Sequence, residues 1–226
     1  FFMFTGFSDQ TIDFMYGIRL NNEKAWFEEH KADYLTHFYN PMRDLADEVY
    51  DAIEQNHPDA GFIRKVSRIY RDARRLHGRG PYKENLWFSI QPPSEEWTSK
   101  PTFWFELLPD HWTCGLGYYA PKAAVMAKFR ARIDENPKKM LSLQKKLAGQ
   151  TEFVLEGASY ARKKPCCTPA LEEWYNLKDF SFIHEEKNSG ALYSPDLAAR
   201  LIEDYEFLMP FYDYLITLDA DPDPRV

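Results

Sequence analysis

The sequence predicts an α+β fold: an N-terminal helical group, a twisted antiparallel meander sheet over about residues 63–119, and C-terminal helices packed on it. Three observations carry that expectation. Apolar residues recur at helical spacing through the first 57 positions, and apolar/polar alternation replaces that spacing after Gly61. The strands that follow are joined by turns rather than helices, which argues against βαβ units. The length of 226 residues fits one domain, and 44% apolar with 16% aromatic residues supply a core without disulfide or metal staples.

Taken in order, Phe7-Ser8 opens the first helix, with Ser8 as cap and Phe7 placed to staple onto Ile12. Asn21 or Asn22 caps the second, in which Trp26, His30, Tyr34 and Phe38 recur every four residues. Asn40-Pro41 reads as a cap followed by proline at the first helical position, and the stripe Met42, Leu45, Ala46, Val49, Ile53 ends at His57-Pro58. From Val66 to Arg74 the alternation predicts a strand, with Arg68, Tyr70, Asp72 and Arg74 on one face and Ile69, Arg71 and Ala73 on the other. A loop over 76–81 leads to strands over 85–91, 102–108 and 112–119, the last two joined by the turn Pro109-Asp110-His111. Pro121 and Pro137 start helices, and residues 153–164 hold a short strand. Thr168-Pro169 opens a helix ending near Asn176. Ser194-Pro195 opens a longer one that Pro210 interrupts by removing a donor. The Asp/Pro-rich tail from Asp219 reads as frayed.

Composition narrows the function classes. No run approaches the roughly 18 apolar residues of a membrane span. Phe1-Phe2-Met3-Phe4 lacks the basic region and cleavage site of a secretory signal. Cys114, Cys166 and Cys167 form no C-x-x-C pair and are odd in number, which predicts a reducing, cytoplasmic setting. A net charge of −7 disfavours a general nucleic-acid coat.

Against that acidity, the segment 62–83 carries eight positive charges and one negative: Arg64, Lys65, Arg68, Arg71, Arg74, Arg75, Arg79 and Lys83 against Asp72. Concentrated like charge costs stability unless something offsets it, so the segment points to an anionic ligand or to internal carboxylates. Guanidinium forks suit carboxylate and phosphate, and a buried arginine needs partners because it cannot neutralise itself. Gly78 and Gly80 let the loop backbone approach a ligand. The ligand-binding candidates are therefore Arg68, Arg71, Asp72, Arg74, Tyr82 and Lys83, with Arg71 and Arg74 clamping the anion, Lys83 adding a point charge and Tyr82 a hydroxyl. Glu106, set among aromatics in Thr102-Phe-Trp-Phe-Glu106, reads as an internal counter-ion or as a general base. Gly115 and Gly117 leave room above the sheet or serve tight packing.

Other chemistries lack their minimal parts. The six histidines show no H-x-H or H-x-x-x-H spacing, so no metal is expected, and no cofactor motif is present. Arg162, Lys163 and Lys164 beside Cys166-Cys167 would lower a thiol pKa, but no His or Asp partner is identifiable. Nucleotide-loop and hydrolase-elbow signatures are missing.

Phe4-Thr-Gly-Phe, Leu20-Asn-Asn-Glu-Lys-Ala-Trp-Phe27, Arg68-Ile-Tyr-Arg-Asp-Ala-Arg74 with Pro81-Tyr-Lys83, and the Gly115-x-Gly117 strand together resemble a family of bacterial conserved hypothetical proteins, domain of unknown function 2461. The resemblance implies a cytoplasmic α+β domain and names no activity, cofactor or catalytic residue. Where the family shows Phe-Ser after the third arginine and a lysine before Pro-Tyr-Lys, this chain has Arg75-Leu76 and Arg79. Three functional readings follow. The leading one is a site for a small anionic ligand, or an enzyme acting on one. The second is an interaction module, with a protein partner or homodimer over residues 68–88. The third is single-stranded nucleic-acid binding through Arg with Tyr70, Tyr82, Trp87 and Phe88.

Overall fold

The computed structural model describes residues 3–226. Phe1 and Phe2, from the apolar N-terminal stretch, and the side chain of Arg75 lie outside the described residues. The architecture is the expected mixed one: N-terminal helices, a six-stranded antiparallel sheet and C-terminal helices.

Helix α1 (Asp9–Leu20) starts at Ser8, whose backbone N–H donates to Thr11 Oγ1 at 3.0 Å. Helices α2 (Lys24–Glu29) and α3 (Lys31–Asp33) lead into a π-helical turn, Tyr34–Tyr39, and then into α4 (Asn40–Asn56). Asn40 is not a cap: its φ of −63° and ψ of −45° are helical, and the chain runs into α4 without a restart. Proline chemistry explains the π turn. Pro41 has no N–H to offer the carbonyl of His37 four residues earlier. The Thr11 hydroxyl donates to that carbonyl instead, at 2.5 Å.

The sheet runs β1 (Ile63–Val66), β2 (Leu86–Gln91), β3 (Thr102–Leu107), β4 (His111–Tyr118), β5 (Val154–Glu156) and β6 (Phe180–Lys187), in spatial order β1-β2-β3-β4-β6-β5. β5 pairs antiparallel with β6 in the register Leu155↔Phe182. The sheet therefore extends beyond residue 119, because Phe180 and Phe182 place their rings in the core while Ser181 stays partly exposed. The strand expected over 66–74 ends at Val66. Beyond it the backbone keeps a single bridge, Tyr70↔Tyr82, and Ala73–Arg75 form a 3₁₀ turn capped by Asp72, which accepts from the Arg74 N–H at 3.0 Å.

Helices α5 (Ala123–Glu135), α6 (Lys138–Ala148), α7 (Glu172–Tyr175) and α8 (Leu197–Ile216) complete the chain. Pro210 does not interrupt α8. Leu201, Tyr205, Leu208, Phe211 and Tyr212 are each at most 3% exposed, and that burial holds the helix through one missing donor. The tail is not free either: Arg132 grips Asp221 through Nε at 2.6 Å and Nη2 at 2.8 Å.

The chain divides into two compact units. Unit one comprises the chain up to Ile90, Trp104–Cys114 and Glu185–Glu203. Its core joins Phe14 to Phe38 and Phe88 to Phe105, with ring centres 5.9 and 5.7 Å apart. Unit two comprises Gln91–Phe103, Gly115–His184 and Asp204–Val226. There Phe103 packs on Tyr205 and Tyr212, and Phe129 meets Phe180 edge-on.

Candidate functional site

The site lies in unit one, where residues 67–71 run antiparallel to 81–87. The Ser67 N–H donates to Trp87 O at 2.8 Å, the Lys83 N–H to Ile69 O at 2.7 Å and the Arg71 N–H to Pro81 O at 2.8 Å. Asn22 latches this ribbon from outside: its Nδ2 donates to Tyr82 O at 2.8 Å and its Oδ1 accepts from the Tyr82 N–H at 2.9 Å. Gly80 serves that latch, since a Cβ there would sit 2.1 Å from Asn22 Oδ1 and 2.5 Å from Asn22 O. Gly78, by contrast, is glycine for its turn, with φ of +79°.

Arg71 is half-buried and spends its Nε on Tyr82 O at 2.8 Å. Lys83 is half-buried as well, with Nζ 6.0 Å from the centre of the Trp87 ring. Burial lowers the proton affinity of both. The Arg79 charge adds to the effect at Arg71, and the Arg71 charge adds to it at Lys83. Glu84 and Glu106 pull the other way, at Arg71 and Lys83 respectively. Neither acid is committed to these cations. Glu84 is ion-paired with Arg19 at 2.5 Å, and Glu106 accepts from Asn85 Nδ2 at 2.5 Å. Among the described residues, neither Arg71 nor Lys83 forms an ion pair with a carboxylate.

The neighbouring sheet face follows from strand alternation. Phe88 and Phe105 stack on one side, so Trp87, Ser89, Trp104 and Glu106 emerge on the other. Trp104 is held there by its Nε1–H, which donates to Thr113 Oγ1 at 3.2 Å. The cationic pair thus borders a face that presents two partly exposed indoles and a carboxylate. This arrangement can hold an oxyanion at the cations and the body of a ligand on an aromatic wall.

The remaining predicted residues go elsewhere. Arg74 does not converge with Arg71: the 3₁₀ turn places it in solvent, where Nη2 and Nε contact Asp72 at 2.8 and 3.0 Å. Arg68 is exposed. Tyr82 is 3% exposed, its ring stacked 4.3 Å from Phe27, so its ring acts in packing. Burial raises its phenol pKa. Sequence reasoning missed Asn22 and Asn85, which position the ribbon and Glu106. Their only sequence signal was a small amide beside a helix start or strand start.

His30 and His37 share a cavity of about 300 Å³ with Asp13 and Asp33. His30, however, is stacked 3.9 Å from Trp26 and its Nδ1 is bonded to Trp26 O at 2.8 Å. Among the described residues no group of three or more His, Cys, Asp or Glu is placed to hold a metal ion. Among the described residues, too, no helix is long and apolar enough to cross a membrane. Cys114, Cys166 and Cys167 are free thiols.

No curated protein matches the chain. The family described as Conserved hypothetical protein (DUF2461) matches over residues 10–214, a span that takes in the N-terminal helices, the latched ribbon and the whole sheet. With that span covered, the chain belongs to the DUF2461 family of conserved hypothetical proteins.

Proposed function

We propose that this protein binds a small ligand bearing a phosphate or carboxylate, in the cytoplasm, with Arg71 and Lys83 as the anion-holding pair. One observation carries the reading. Two half-buried cations have their charge disfavoured by burial first, then by Arg79 at Arg71 and by Arg71 at Lys83, while the nearby acids are engaged with Arg19 and Asn85. An arriving oxyanion would relieve that repulsion and accept from both groups. Glu106 then sets the orientation of the ligand from the Lys83 side, and Trp87 and Trp104 receive its body. Two charged hydrogen bonds at about 1.5–3 kcal/mol each support a dissociation constant in the micromolar-to-millimolar range. The free thiols agree with a reducing compartment.

The test is a thermal-shift and calorimetric titration with inorganic phosphate and with succinate. Wild type should gain Tm with either or both anions. Arg71→Gln and Lys83→Met should remain folded and lose the gain from succinate, and with phosphate keep no more than a residual gain, whereas Arg74→Gln, whose partner is Asp72, should keep both. Anion-induced stabilisation that is equal in all four proteins would reject the site.

A further inference from the structure

Unit two holds a second concentration of positive charge, built from residues that the Arg71–Lys83 pair does not involve. Three cations surround the ring of Tyr160: Arg130 at 5.4 Å from its centre, Lys164 at 5.3 Å and Lys178 at 5.4 Å. Arg162 and Lys163 sit between Tyr160 and Lys164 in the chain. Among the described residues none of these five basic side chains is ion-paired with an acid, although the protein as a whole is acidic at −7.

The framework beneath them is fixed. Asn176, 2% exposed, accepts the Lys164 N–H at 2.7 Å and donates to Lys164 O at 3.2 Å and Glu172 O at 2.9 Å. The Tyr160 N–H donates to Asn176 O at 3.0 Å, and the Lys178 N–H to Ala158 O at 2.7 Å. A buried amide therefore clamps the loop at the residue that brings in one lysine, and a main-chain bond anchors the other. A phenol ring attracts a cation by about 0.5–1 kcal/mol at an exposed site. Three cations drawn to one ring also repel one another, and an arriving anion would offset that repulsion. Arg130 Nη1 donates to Tyr160 Oη at 3.3 Å, which leaves the phenolic hydrogen available to an outside acceptor.

We infer that Arg130, Tyr160, Lys164 and Lys178 form a site for a compact, multiply charged oxyanion, the phosphoryl or pyrophosphoryl group of a small molecule. All three cations lie within 5.4 Å of one ring centre, so no two are farther apart than twice that distance, a span that one or two phosphoryl groups can bridge and that is short for tracking an extended polyanion. Lysine and arginine act together here, the ammonium groups as point charges and the guanidinium as an oriented donor.

Calorimetric titration of the full chain with inorganic pyrophosphate tests this, performed in an Arg71→Gln/Lys83→Gln background so that the two sites are read separately. One-to-one binding should persist there. It should weaken by about tenfold or more in Lys164→Gln/Lys178→Gln, the loss of about one charged hydrogen bond. Both lysines are exposed, so that variant keeps its fold. Tyr160→Phe should weaken binding less, because the ring stays. No binding in the first background, or an unchanged affinity after loss of both lysines, overturns the assignment. A single-stranded oligonucleotide that outcompetes pyrophosphate at equal phosphate concentration overturns the compact-ligand reading.

Discussion

Lys83 carries its charge at a cost, and the sign of that cost is testable. Its proton affinity in the fold is below that of an exposed lysine, because of burial and then Arg71. The penalty is present in full below the folded pKa and is relieved as pH rises from that value towards the unfolded one near 10.5. In that window the unfolded chain holds more protons, so stability from this group rises with pH. Lys83→Met should therefore stabilise the ligand-free protein at pH 7 by a few tenths to about 1 kcal/mol after solvent screening. The advantage should shrink in urea melts towards pH 10. The sequence singled out Arg71 and Lys83 as unusual cations, since an arginine between Ile69 and Ala73 must find a setting, and both side chains are half-buried. Arg74 looked equivalent only on paper. Asp72 two residues earlier offers a cap and an ion pair, and that local chemistry turns the backbone before a strand can carry Arg74 inward.

Among the elements, the ribbon over 67–71 and 81–87 depends on contacts that a local reading of its sequence does not contain. Asn22, sixty residues away in sequence, supplies both latch bonds. Gly80→Ala would drive a methyl into the amide and backbone of Asn22, and overpacking of that kind costs about 1–3 kcal/mol. Anion-dependent stabilisation should fall together with the urea midpoint. Asn22→Ala should loosen the same ribbon while leaving α1 intact, seen as faster hydrogen exchange at Lys83 and Arg71. The helical join behaves likewise. Thr11→Val strands the His37 carbonyl that Pro41 cannot serve, and an unmet buried acceptor costs about 1–3 kcal/mol. A cap and staple made α1 legible, an apolar stripe α4, and helix-starting prolines α5 and α6. β6 was missed because Phe-Ser-Phe-Ile soon gives way to His-Glu-Glu-Lys, and half an alternating strand reads as loop. Pro210 was overweighted because propensity is local, whereas burial of the α8 face is tertiary.

For the molecule as a whole, acid sensitivity has an identifiable contributor at the C-terminal end. Arg132 bonding holds the Asp221 carboxyl below the usual carboxylate range. A depressed acid contributes stability above its unfolded pKa and loses it as pH falls through its folded one. Asp221→Asn should thus cost less than about 1 kcal/mol at pH 7, given its exposure to water. The difference from wild type should close below about pH 4, as read by melts across that range. The class of fold was legible because turn-joined strands and proline-led helices are written locally. The number of strands and the order β4-β6-β5 were not, because they depend on which distant segments share a hydrophobic face. That order also leaves the two rims of the sheet to its shortest members, four residues at β1 and three at β5. Arg64 and Lys65 lie on one rim and Glu156 on the other, so at either rim a passing chain finds little unpaired backbone and charged side chains that pairing would have to desolvate. The protein should accordingly stay dispersed at high concentration and seed no cross-β growth while its fold holds.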